Sequence, residues 1–272
     1  MWVDKKSTLA RYQLRCWGVN LPFARVVNCT VPLEKVRPTA TIVVPAWNAW
    51  AHTRACLNSL RSTIAQTDQI VIVDNGSRDA TAKELAKFDQ IEVITNRQNR
   101  GTASTWNQGA QHAHGEIIIF LHNDTVVGPG WLEVLLAAFD DPTVAASGSA
   151  TDLESPERFH TSGPASETEV LSGPCLAVRR SVFREIGGFD EHYVMGGYED
   201  WDLCRKMRAT GRRLVTSHDV NVSHVGRVTF DANQVDHTYY RAENWRRYQT
   251  KWQLDAPDTS CLISVCLIVK DE

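Results

Sequence analysis

The chain has no apolar run approaching the roughly 20 residues that cross a bilayer. Its longest candidate, near Cys261 to Val269, falls well short. The opening MWVDKKSTLARYQLRCWG lacks the apolar core of a secretion signal. No charge of one sign dominates. The formal net charge is -3, which gives no electrostatic reason to expect a nucleic-acid partner. No CxxC pair occurs, and the seven cysteines (Cys16, Cys29, Cys56, Cys175, Cys204, Cys261 and Cys266) are odd in number and scattered. That usage suits buried thiols in a reducing compartment better than a disulfide frame or a zinc site. GxGxxG and GxxxxGK[ST] are both absent, which argues against a dinucleotide fingerprint and a P-loop. No internal repeat is visible between residues 40 and 250. These absences leave a soluble cytoplasmic protein as the expectation, with peripheral contact to the inner face of a membrane still open.

What is present is enough apolar material for a core. Hydrophobic residues make up 43% of 272, sufficient for one large α/β domain or two small ones. The most informative stretch is IIIFLHND, residues 117–124. A short continuous apolar run suits a strand buried on both faces. The polar tip His122-Asn123-Asp124 then lies at the strand's carboxyl end, where open α/β sheets place their ligands. A carboxylate there can hold a divalent cation, and the cation a diphosphate. A plain polar turn is the rival reading.

Three more buried strands precede it: ATIVVP at 40–45, IVIVD at 70–74 and IEVIT at 91–95. Leu57, Leu60 and Ile64 fall at helical spacing after the first. Asp79 can cap a helix running through Leu85, and a third helix about one turn longer than 102–111 follows. This β-α-β-α-β-α-β order predicts a parallel sheet with covering helices. Right-handed crossovers then bring the tips Pro45–Asn48, Asp74–Ser77, Arg97–Gly101 and His122–Asp124 to one rim.

Beyond the Gly128-Pro129-Gly130 break the pattern is less regular. Trp131, Leu135 and Phe139 predict a helix, 144–147 a strand, and 149–168 a long polar loop. Residues 171–180 read as a strand and 181–191 as a short helix stopped by Gly187-Gly188. A helix over 198–211 opens with Glu199, Asp200 and Asp202, acids that suit its positive dipole end. Short strands are expected at 214–215 and 220–223, and an aromatic-rich helix within 234–252. Residues 262–272 resemble the opening strand of a further domain.

In their order these segments resemble the GT-A fold glycosyltransferases of family 2. TIVVPAWNA resembles the family's first strand and turn, and IVIVDNGSRDAT its V-D-[DN]-G-S-x-D-x-T signature. NRQNRGTASTWNQG, FLHNDT, GPCLAVRRSVFREIGGFDE, GYEDWDLCRKMRATGRRL and SHVG are similar to later family segments. The likeness covers residues 40 to 228, with a rhamnosyltransferase-like flavour in N-D-T and E-D-W-D-L.

The resemblance implies a mostly parallel mixed sheet flanked by helices in a single catalytic domain. It implies 39–230 as that domain, with a nucleotide-binding half at 39–125 and an acceptor-binding half at 126–230. Residues 1–38 would be a lead-in, 231–255 a packing helix, and 260–272 the start of a further domain. By the same resemblance Pro45, Trp47, Asn48, Asp74, Asn75, Arg97, Gly101, Asn107 and Asn123 would border a nucleotide. Asp124 and His224 would bind Mn²⁺ or Mg²⁺. Asp200 would be the general base, with Glu199 beside it and Gly173 and Trp201 on the acceptor side. The implied reaction is inverting transfer from a UDP- or dTDP-sugar to a hydroxyl of a glycan, a lipid-linked sugar or a protein.

One departure weakens the metal. The tip is His122-Asn123-Asp124, with one carboxylate where the family has Asp-x-Asp. Asn123 can still lend an oxygen to a hard cation. His122, a softer nitrogen ligand, is expected to orient the loop. Two rivals stay open: a non-catalytic scaffold that keeps the sugar-nucleotide fold, and a nucleotidyltransferase. The second wants a basic glycine-rich turn near 46–52, and Ala46-Trp47-Asn48-Ala49-Trp50 is not one.

Overall fold

The computed structural model describes residues 37–149 and 163–254. The expectations for 1–36, for most of the 149–168 loop and for 260–272 lie outside these residues. Strands β1 (Ala40–Ala46), β2 (Gln69–Asp74), β3 (Glu92–Thr95) and β4 (Ile117–Leu121) pair in parallel in the order β3-β2-β1-β4. Helices α1 (Trp50–Arg61), α2 (Thr81–Leu85) and α3 (Thr102–Gln111) are the crossovers. Four strand tips therefore share one rim, as expected.

The alternation within β1 shows why its sequence is apolar throughout. Ile42 and Val44 join one core layer with Leu57, Leu60, Ile72, Ile119 and Trp131. Val43, between them, joins the other with Val73, Trp106, Phe120, Leu203 and Met207. Both faces are covered, so neither parity of side chain can be polar. Gly109 lets α3 lie close on the sheet, since a Cβ there would sit 2.2 Å from Val43 Cγ1.

The sheet continues past β4 with a change of direction. β6 (Val144–Ser149) follows helix α4 (Trp131–Ala137), and β8 (Cys175–Arg179) inserts antiparallel between β4 and β6. β9 (Arg213–Ser217) pairs in parallel with β6, and β7 (Ser166–Thr168) closes that edge antiparallel. This is the mostly parallel mixed sheet expected from the sequence.

Several boundaries differ from expectation. The 171–180 strand is only β8, because Gly173 and Pro174 sit in the turn before it. The 181–191 helix is α5 (Arg180–Glu185), ended by left-handed Gly187 and Gly188. α6 spans Glu199–Ala209. The short strand near 220 is β10 (Val222–His224), which pairs antiparallel with β5 (Thr125–Val127), an element the sequence did not suggest. α7 (Val228–Ala232) was also not anticipated. α8 (His237–Trp252) is the aromatic-rich helix, and the Asp236 side chain caps it by accepting from Tyr239 N. No described helix is long and apolar enough to cross a membrane.

Candidate active site

The rim of β1–β4 opens on a cavity of about 330 Å³. Pro45, Trp47, Asn75, Asn99 and Thr102 line its floor from the strand tips and α3. His122, Asn123 and Asp124 line one wall. Arg227, Phe230, His237 and Arg241, from α7, α8 and the turns leading into them, complete the lining with Met195.

A candidate metal-ligating set forms because β10 returns to β5, which follows the HND tip. Register pairs His224 with Thr125, and Val225 N donates to Asp124 O at 3.1 Å. His224 Nε2 then lies 3.0 Å from Asp124 Oδ1 and 3.3 Å from His122 Nδ1. One ligand atom from each of the three residues falls within 4.8 Å of the other two. Burial, followed by the neighbouring His224, pushes the His122 imidazole down to about 4, so it is neutral and able to ligate. For Asp124 burial alone would raise the pKa. The hydrogen bond from His224 and the two imidazoles overcome this and hold it below the ordinary carboxylate value.

His122 falls into the candidate ligand group together with Asp124 and His224. Asn123 lines the cavity, but its amide is committed elsewhere: Nδ2 donates to Thr53 Oγ1 at 2.9 Å and Oδ1 accepts from Thr229 Oγ1 at 3.1 Å. Two imidazoles and one carboxylate fit a divalent transition ion, and of Mn²⁺ and Mg²⁺ they suit Mn²⁺ better.

Asp200 stands next to this set at the start of α6. Its Oδ2 accepts from Gly173 N at 2.9 Å and its Oδ1 from Trp201 N at 2.9 Å. A Cβ at Gly173 would lie 3.3 Å from Asp200 Oδ2 and 3.4 Å from His122 Nε2. Residue 173 thus separates the carboxylate from the metal-ligating imidazole, and a side chain there would crowd both. Burial raises the Asp200 pKa against the hydrogen bonds it accepts. Burial, then the adjacent Asp200, raises that of Glu199, whose Oε2 is buried without a hydrogen-bond partner. Burial thus raises the proton affinity of both carboxyl groups.

The other expected residues divide by where their polar atoms go. Asp74 is 1% exposed, and its Oδ1 accepts from Ser77 N at 3.0 Å. Its Oδ2 is buried with no hydrogen-bond partner, and Asp74 does not line the cavity. Asn75 spends its amide within the protein, on Asn99, Asn96 and Arg100 N. Asn48 is left-handed and caps the 78–79 turn, accepting from Arg78 N at 2.7 Å, while its Nδ2 bonds Asn233. Asn107 lies away from the cavity, exchanging two hydrogen bonds with the Phe189 backbone. Arg97 is exposed and does not line the cavity. Gly101 is the left-handed residue before α3, accepting from Thr105 Oγ1. Trp201 packs edge-on to Tyr198, outside the cavity lining. Missing from the expectation were Arg227, His237 and Arg241. Burial and then the two arginines lower the His237 pKa, so the positive charge on this wall resides on the guanidiniums.

A mostly parallel sheet with a β8 reversal, a candidate carboxylate–imidazole metal set at the β4 tip and a half-buried carboxylate at the start of α6 give the framework of a GT-A glycosyltransferase. The family model for glycosyl transferase family 2 matches residues 41–215, and the chain belongs to that family. AglE, a glycosyltransferase of Haloferax volcanii, is 26% identical over 209 residues, covering 70% of this chain and 68% of the relative. The pre-mycofactocin glycosyltransferase of Mycobacterium tuberculosis is 30% identical over 211 residues, covering 70% of this chain but only 43% of the relative. Among solved structures, mannosyltransferase PcManGT from Pyrobaculum calidifontis, in complex with GDP-Man and Mn²⁺, superposes with a TM-score of 0.64. That likeness is at 22% identity and covers 82% of this chain and 66% of the other, and it supports the GT-A fold.

Proposed function

We propose that this chain transfers a sugar, with inversion and with Mn²⁺, from a nucleoside diphosphate sugar to a hydroxyl acceptor. The observation that carries this reading is the nearness of Asp200 to His122 across Gly173, where His122, Asp124 and His224 together line the cavity. Mn²⁺ held by those three residues would supply positive charge to the departing diphosphate. Arg227 and Arg241 face the same cavity and add fixed charge where the leaving group must sit. Trp47 and Pro45, in the cavity lining, would border the nucleoside. Asp200 takes the proton of the attacking hydroxyl as the new C–O bond forms opposite the diphosphate. A single base on that side gives inversion. The acceptor would be a glycan, a lipid-linked sugar or a protein, and a lipid-linked acceptor would bring the enzyme to the inner face of a membrane.

Calorimetry with UDP-, dTDP- and GDP-sugars, each with Mn²⁺ and with chelator, tests the reading. One donor should bind only with Mn²⁺, and Asp124→Ala should lose that binding. If no donor binds the unmodified chain under any condition, the transferase reading fails and the scaffold alternative replaces it.

A further inference from the structure

The approach to Asp200 is held by a residue outside the segment that matches the family. Met195, Gly196, Gly197 and Tyr198 have φ of 61, 98, 100 and 70°. Met195 and Tyr198 carry a Cβ, so a left-handed backbone there persists only if the surroundings enforce it. The run has two dependants. Met195 lines the cavity, and Tyr198 is the residue from which α6 starts, so the run sets where Glu199 and Asp200 stand.

The enforcement comes from α8. Asn244 is 1% exposed, and its Nδ2 donates to Val194 O at 2.9 Å and to Gly196 O at 3.0 Å. One carboxamide thus ties both sides of left-handed Met195 to a helix. Positions on the same helical face reinforce it. Arg241, one turn earlier, lines the cavity and lies over the Tyr198 ring at 5.8 Å. Trp245 packs on Tyr198 with ring centroids 5.0 Å apart.

We propose that Asn244 is a positioning residue for the transfer: it holds the left-handed run, and through it the Asp200 carboxylate, in register with the bound sugar donor. This rests on the transferase reading above. Asn244 touches neither donor nor acceptor and acts through backbone carbonyls.

The test uses Asn244→Ala and Asn244→Asp, the second keeping the shape while losing both N–H groups. Whichever of the UDP-, dTDP- and GDP-sugars binds with Mn²⁺ serves as probe, with water as acceptor. Water's oxygen joins the anomeric carbon, its proton goes to Asp200, and the released nucleoside diphosphate is measured. Turnover should fall about 10–100-fold, the range seen when the groups supporting a reactive residue are removed. Donor affinity should stay within about threefold, since the cavity residues remain. In an Asp200→Asn background, Asn244→Ala should cost less than about threefold more, because its effect passes through Asp200. A purely structural role predicts instead independent factors that multiply in the double variant. Turnover close to the unmodified chain, or multiplying losses, overturns the inference alone. Absence of Mn²⁺-dependent donor binding by the unmodified chain overturns the transferase reading and the inference together. If Asn244→Ala does not fold, Asn244→Asp carries the same comparison.

Discussion

Replacing Asn123 by aspartate separates two accounts of the metal tip. Counting carboxylates in His122-Asn123-Asp124 suggests that a second acid would strengthen the cation site. The structure says otherwise, because the Asn123 amide is bound between Thr53 and Thr229 and the ligand set is made by its neighbours. Asn123→Asp deletes the N–H given to Thr53, whose side chain is fully buried, and introduces a charge at a position only 5% exposed. The lost bond and the burial of a partly compensated charge should together cost about 1–3 kcal/mol. Urea unfolding should show a lower midpoint with an unchanged slope. Mn²⁺ titration should give a dissociation constant at most about threefold tighter, the effect of a nearby charge that does not ligate. Binding ten or more times tighter, with stability unchanged, would show residue 123 reaching the ion and would refute the geometry.

Asp200→Asn should leave donor binding intact and slow transfer by about 10²–10⁴-fold, the usual contribution of a general base. Burial raises the Asp200 pKa, so the unmodified enzyme should lose activity as pH falls through a value above the ordinary carboxylate range. In Asp200→Asn that acid limb should disappear; its survival would assign the base elsewhere. Arg227→Ala and Arg241→Ala should each weaken donor affinity about tenfold at low salt, and less at high salt where exposed charges are screened. Equal binding across salt concentrations would argue against diphosphate contact. Gly109→Ala places a Cβ 2.2 Å from Val43 Cγ1, and overpacking of about 1–3 kcal/mol should outweigh the helix-propensity gain of about 1 kcal/mol. A higher midpoint in chemical unfolding would contradict this.

The half of the fold that the sequence declared openly is the half in which short apolar runs are buried on both faces. IVIVD and IIIFL leave no polar parity to confuse strand with helix, and their tips follow directly in the chain. β5 is three residues long, too short to show a period, and its pairing with the expected strand near 220 is long-range. His122 illustrates the same difficulty at the site. Its nearness to a second imidazole depends on where His224 arrives, which the local sequence does not show. Asn48 and Asn107 sit in motif-like stretches, yet an amide looks the same in sequence whether it faces a ligand or a backbone carbonyl. Both are spent largely on turns within the protein. Arg227 and Arg241 carried no motif, and only the docking of α7 and α8 shows where they stand.

The pairing of β5 with β10 also gives the site a place in time. Asp124 and His224 are 100 positions apart (224 − 124) in the sequence. At ribosomal speeds of about 5–20 residues per second, His224 is added roughly 5–20 seconds after Asp124. During that interval β1 to β4 can assemble from neighbouring segments, yet the ion has only His122 and Asp124 to hold it. Capture of Mn²⁺ by a nascent chain would therefore mark arrival of the C-terminal part of the cavity, and not merely collapse of the sheet.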